Sequence, residues 1–168
     1  MENKTLCQTI CFDYEREVEQ TRRMLERVNL ETPGLSDYRP HPKSMTLNRL
    51  ATHIADLPGW PAFMLESEEF VLPENFQPEV SASSRALMEK FEACVERGRK
   101  AIANATDEDM KKTWTFRYKD YSSSGARPDV VRSTINHMVH HRAQLGLYLR
   151  LNDVAIPGMY GPSADEAF

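Results

Sequence analysis

The sequence predicts an all-α protein: a four-helix bundle with one short extra turn or helix and a turn-rich C-terminal tail. Four long segments repeat apolar residues near the helical period, with charged residues between them. Loops rich in proline and glycine, unequal in length, separate those segments, and very little of the chain reads as strand. Helices that each hide one stripe satisfy one another by facing inward, and a bundle of this kind builds its sites from side chains on facing helices. At 168 residues the chain is most simply one domain, 1–168, large enough to bury roughly two thirds of the surface its unfolded form exposes.

The first helix runs from Leu6 to about Val28, where Leu6, Ile10, Tyr14, Val18, Met24, Leu25 and Val28 form the apolar stripe. The stretch ETPGLSDYRPHPKS then breaks the pattern with three prolines and a glycine, and Ser44 stands where an N-cap would start the next helix. That second helix begins near Met45 and carries Leu47, Leu50, Ile54 and Leu57 on one side. Pro58 lacks a backbone donor and crowds the carbonyl of Ile54, which predicts a kink or restart before Trp60 and the apolar residues 63–65.

A polar, proline-containing link over 72–83 leads to the third helix, with Leu87, Phe91, Cys94, Val95 and Ile102 inward and Glu89, Glu92, Glu96 and Arg99 outward. Gly98 inside that helix costs about 1 kcal/mol relative to alanine, and close approach of a neighbouring backbone is the expected compensation. Residues 106–109, TDED, resemble a capping box for one short turn. The next segment, WTFRY, suits either a strand or a loop, and the expectation is a loop that lays Trp114 and Phe116 on the core. SSSGARP reads as a flexible connection, with Pro128 in the first turn of a fourth helix that runs to about Leu151. The tail IPGMYGPSADEAF is turn-rich.

Composition excludes several classes of function. A formal net charge of −4, from 25 acidic and 21 basic residues, provides no global basic field for nucleic acid, so no nucleic-acid partner is expected. No segment approaches the roughly 20 apolar residues of a membrane span, and no charged-then-apolar leader opens the sequence. Three cysteines, Cys7, Cys11 and Cys94, form no C-x-x-C pair and no even disulfide framework. A cytoplasmic location without membrane attachment is the expectation, and Cys7 and Cys11, one helical turn apart, read as structural.

The fourth helix contains INHMVHHRAQL, which places three of the five histidines within five positions. Its core-facing residues are Ile135, Met138, Leu145 and Leu149, with Thr134, His137, His141 and Tyr148 on the adjoining edge. His137 and His141 are four apart, a spacing that lets two imidazoles converge on one ion, whereas His140 points elsewhere. On the second helix, His53 falls in the apolar stripe between Leu50 and Leu57. A buried neutral imidazole needs partners for its nitrogens, and three protonated ones facing a single cavity would repel. Shared coordination of a divalent cation meets both demands and leaves a position open for water or substrate. Spacing alone leaves a second reading open, in which each histidine is a core residue hydrogen-bonded to carbonyls or carboxylates.

The motifs THIADLPGW and NHMVHHRAQLGLYLR, preceded by PHPKSMTLNRLA and followed by IPGMYGPSADE, resemble the DinB-like superfamily, named after damage-inducible bacterial genes. The resemblance covers nearly the whole chain. It implies a four-helix bundle, often a homodimer, with a divalent metal held by one histidine of helix two and two of the H-x-x-x-H segment; here these are His53, His137 and His141. Many members read H-R-G-Q where this chain has Ala143 between Arg142 and Gln144, a departure that leaves the ligands untouched. Superfamily relatives include transferases and isomerases that use low-molecular-weight thiols, and others described as hydrolases.

Three functions follow as expectations. In the first, the protein is a thiol-dependent S-transferase whose ion lowers the pKa of a small thiol cosubstrate and offers it to a small electrophile. In the second it is a hydrolase that activates water and polarises a carbonyl. The third is a non-catalytic, stress-linked metal-binding bundle. Neutral imidazoles suit zinc or nickel, and also copper or iron. A hydrolase needs a base, for which Asp56 is the nearest candidate in sequence, although it also reads as a surface carboxylate or as a partner that orients a ligand ring. Arg142 reads as a structural ion pair between helices or as an anion binder, Tyr148 as core, and Gln144 as a residue able to point into a cleft. His41 and His140 read as solvated.

Overall fold

The computed structural model describes residues 5–167. Helix α1, Leu6–Leu25, starts at a reciprocal cap in which the Thr5 hydroxyl accepts from the Gln8 amide and the Gln8 side chain accepts from the Thr5 amide. It ends three residues before the periodicity predicts, because the chain tightens into turns, with the Val28 amide bonded to the Leu25 carbonyl. Val28 stays in the core, whereas Leu6, assigned to the buried stripe from its spacing, is 41% exposed. Helix α2, Leu47–Asp56, is capped by Thr46, whose hydroxyl accepts from the Arg49 amide at 3.3 Å, rather than by Ser44.

Pro58 produces the anticipated restart: a 3-10 turn at Leu57–Gly59 leads into α3, Trp60–Glu66. Strand β1, Glu69–Val71, precedes α4, Ser84–Asn104, which Ser83 caps by accepting from the Ala86 amide at 3.0 Å. The short α5, Asp107–Met110, carries the capping box read from TDED. Strands β2, Thr113–Tyr118, and β3, Tyr121–Ala126, come next, followed by α6, Arg127–Arg150, with Pro128 in its first turn.

The fold is therefore not purely all-α. A three-stranded sheet in the order β1-β2-β3 pairs β1 parallel to β2 and β2 antiparallel to β3. WTFRY is a strand rather than a loop, and SSSGA, expected to be a flexible connection, is its hairpin partner, with Trp114 opposite Gly125 and Phe116 opposite Ser123. The turn between them places Lys119 at φ 51°, a left-handed conformation that closes a two-residue hairpin. Trp114 is buried and Phe116 packs on the core, as anticipated, although they reach it from a strand.

Helices α1 and α2 each pack against both α4 and α6 but touch each other only sparsely, so they stand at opposite corners of the bundle. Tyr14, Leu50, Phe91, Met138 and Leu145 are among the fully buried side chains of the shared core. The Tyr14 hydroxyl donates to the Pro58 carbonyl, 2.9 Å away, where the α2 to α3 restart leaves that oxygen free of a helical partner. A Cβ on Gly98 would lie 1.9 Å from the same oxygen, which is the close backbone approach that Gly98 implied. The 3-10 turn is thus seated directly on α4.

The guanidinium of Arg142 is buried on α6 and bonds the Glu17 carboxylate at 2.7 Å, the Glu17 carbonyl at 3.1 Å and the Thr21 hydroxyl at 3.2 Å. Tyr160 of the tail donates to the same carboxylate at 2.6 Å. Arg142 is accordingly the interhelical ion pair of the two readings, and the tail is fastened to α1 through it. Residues 1–4 and Phe168, which bear on expectations about the two chain ends, lie outside the described residues. No helix among the described residues is long and apolar enough to cross a membrane.

Candidate metal centre

The geometry of α2 and α6 brings His53, His137 and His141 together. On α6 the buried positions include Thr134, Ile135, Met138, Leu145, Tyr148 and Leu149. His137 and His141 occupy the edge of that stripe, one turn apart and half-buried. On α2 the stripe of Leu47, Leu50 and Ile54 points into the core, and His53 flanks it on the side turned to α6. Ring centroids are 5.1 Å apart for His53 and His137, 4.8 Å for His53 and His141, and 4.6 Å for His137 and His141. One ring nitrogen from each lies within 4.8 Å of the others.

Two observations show that this donor set fits a divalent ion. First, the Nε2 atoms of His53 and His137 are 3.4 Å apart. Two imidazole nitrogens each about 2.0–2.1 Å from a tetrahedral ion are separated by about 3.3–3.4 Å, so those two are already at ligand spacing. Second, the rings are held neutral, as ligands must be. Burial, then the neighbouring His141 and His137, pushes His53 down to about 4, and burial with His141 and His140 does the same to His137. Burial also lowers His141.

Gln144 orients the third histidine. Its Oε1 is 2.7 Å from His141 Nδ1, which makes Nδ1 the N–H donor and leaves the Nε2 lone pair free to face the other rings. The Gln144 amide nitrogen lies 3.2 Å from His140 Nε2, so the residue that fixes His141 also binds the histidine outside the cluster. His140 is exposed and is not part of the triad, in keeping with its expected direction. Trp60 closes one side, with its ring 5.7 Å from His53 and 5.5 Å from His137, both edge-on.

The remaining candidates fall elsewhere. Asp56 is 2.9 Å from Lys90 Nζ on α4 and forms a surface ion pair, so the structure does not present it as a base for this site. His41 is exposed in its loop, where its Nδ1 accepts from the Lys43 amide. Tyr148 is buried edge-on to Tyr38. Cys7, Cys11 and Cys94 are free and half-buried. Sequence reasoning missed Trp60 and Arg49 as neighbours of the cluster. Arg49 was legible as the residue one turn before His53. Trp60 was not, because it follows a helix restart that helical counting from His53 does not cross.

A family model described as the DinB family matches residues 1–167. No curated protein matches the chain. Among solved structures, a DinB-like protein from Bacillus cereus is 21% identical, with a TM-score of 0.67 over 90% of this chain and 95% of that one. A DinB-like protein from Bacillus subtilis is 17% identical, with a TM-score of 0.68 over 90% and 97%. YfiT from Bacillus subtilis, described as a probable metal-dependent hydrolase with an unusual four-helix bundle topology, is 15% identical, with a TM-score of 0.67 over 92% and 93%. At these identities the likeness establishes the shared fold.

Proposed function

The chain belongs to the DinB family, and from that premise we propose that it is a divalent-metal-dependent enzyme of the thiol-dependent S-transferase type, acting on small electrophiles. The observation that carries the metal reading is the convergence of His53, His137 and His141 as neutral donors within 4.8 Å of one another, two of them already at ligand spacing. His53, His137 and His141 would hold a zinc or nickel ion, which would supply the lowering of the pKa of a bound thiol or water. Three protein ligands are the number that leaves an open position in a catalytic site.

The chain's own residues favour a thiol over water. As ligands, His53, His137 and His141 would each commit a ring lone pair to the ion, and none would then be free to serve as a base. Gln144 locks the His141 tautomer, and Trp60 packs edge-on against His53 and His137. Among the described residues no carboxylate acts on the three rings, and Asp56, the nearest in sequence, is engaged by Lys90. The same ion would lower the pKa of water too, but a thiol starts from about 8.5 against about 15.7 for water, so it reaches its anionic form near neutral pH with less help from a positioned base. Hydrolysis is the second reading, supported by the description of YfiT. A homodimer taking a small-molecule substrate completes the proposal.

The test is turnover of an activated aryl halide with a panel of small thiols, by protein loaded with zinc or nickel. Thiol-dependent consumption that chelation abolishes and metal restores is the expected result. Metal-dependent ester hydrolysis without thiol would favour the second reading, and a metal-loaded protein inert in both assays would leave a binding bundle.

A further inference from the structure

The charges around the cluster are of one sign. Besides one another, the ionisable groups that act on His53, His137 and His141 are Arg49 and His140, neither of them an acid. Arg49 lies on α2 one turn before His53, the spacing that sets two side chains on one helix face. It is half-buried at the edge of the α2 stripe, and its guanidinium forms no ion pair or hydrogen bond among the described residues. Burial lowers its pKa, with only Asp56 opposing, and Asp56 is itself held by Lys90 at 2.9 Å.

An unpaired guanidinium beside a proposed dication is unfavourable, because each repels the other and three neutral imidazoles neutralise neither. Such a group has a use when an anion arrives with the substrate. Resting on the metal-dependent reading above, we infer that Arg49 is the residue that binds the substrate's anionic group, and that the substrate is a small molecule carrying a carboxylate apart from the atom that meets the metal. The planar fork of arginine matches a carboxylate with two parallel hydrogen bonds. A lone guanidinium balances the single charge of a carboxylate, not the double charge of a phosphate monoester.

The test uses the protein loaded with cobalt(II), whose visible absorption reports the coordination of the ion. It is titrated with acetohydroxamate and with succinate monohydroxamate, which adds a carboxylate arm to the same metal-binding head. Wild type is expected to bind the arm-bearing ligand about tenfold or more tighter, the scale of one charge-assisted hydrogen-bond pair. Arg49→Gln should bind the two equally, and Arg49→Lys should keep part of the preference. Unchanged acetohydroxamate binding by Arg49→Gln shows that fold and metal persist. Equal affinities in wild type, or a preference that survives in Arg49→Gln, overturn the inference while leaving the metal site intact. A wild-type protein that takes up no cobalt overturns the metal reading and this inference together.

Discussion

His53 and His137 illustrate how one residue's environment sets its chemistry. Both sit at the margin of a buried stripe, where desolvation and neighbouring rings hold them down to about 4, well below the ordinary histidine value of 6.5. In the metal-free protein this couples stability to pH. Above pH 6.5 the rings are neutral in both folded and unfolded chains, and their contribution is constant. As pH falls below 6.5, the unfolded chain takes up protons that the folded chain refuses, so stability is lost progressively down to about pH 4, where the folded rings protonate too. Thermal unfolding of metal-stripped protein across that window should show a falling Tm, with a shallower fall in His53→Gln. Identical slopes would show that His53 is not held neutral by the fold. These residues were legible in the sequence because their spacing relative to leucines is a helical property; Arg49 and Trp60 were not picked out, because neither belongs to a ligand pattern.

At the scale of elements, the restart at Pro58 is the feature that positions the site, since it ends α2 just beyond His53 and brings Trp60 back over the cluster. Its seat is Gly98 of α4, and alanine there is normally favoured in a helix by about 1 kcal/mol. Here the added methyl would meet the Pro58 carbonyl at 1.9 Å and the Tyr14 hydroxyl at 2.6 Å. Gly98→Ala should therefore destabilise the protein, by roughly 1–3 kcal/mol as for other overpacked sites, when followed by urea unfolding. A neutral or stabilising result would mean that α4 and the turn are not in contact. The long helices were readable from sequence because each carries an apolar stripe, and the short α5 because Thr106 and Asp109 make a capping box. The β2–β3 hairpin was not, since Tyr121–Ser124 are exposed and show no apolar alternation; their strand character comes from pairing with β2.

For the whole molecule, the bundle and its corner positions follow from four apolar stripes, and the small sheet is an addition beside α3 and α6 that leaves the α2–α6 seam clear. That seam holds the cluster on two rigid helices, while the Glu17, Arg142 and Tyr160 contacts tie α1, α6 and the tail together away from it. The separation predicts that the histidines can be replaced without unfolding the chain, because the core residues beneath them, Leu50 and Met138 among them, make their own contacts. The most direct test is elemental analysis of untagged protein, in wild type and in His53→Ala and His140→Ala variants that circular dichroism shows to be folded. Stoichiometric divalent metal is expected in wild type and His140→Ala, and its loss in His53→Ala. Wild-type protein that contains no metal and takes up none on titration, or equal metal in all three, would contradict the three-histidine centre.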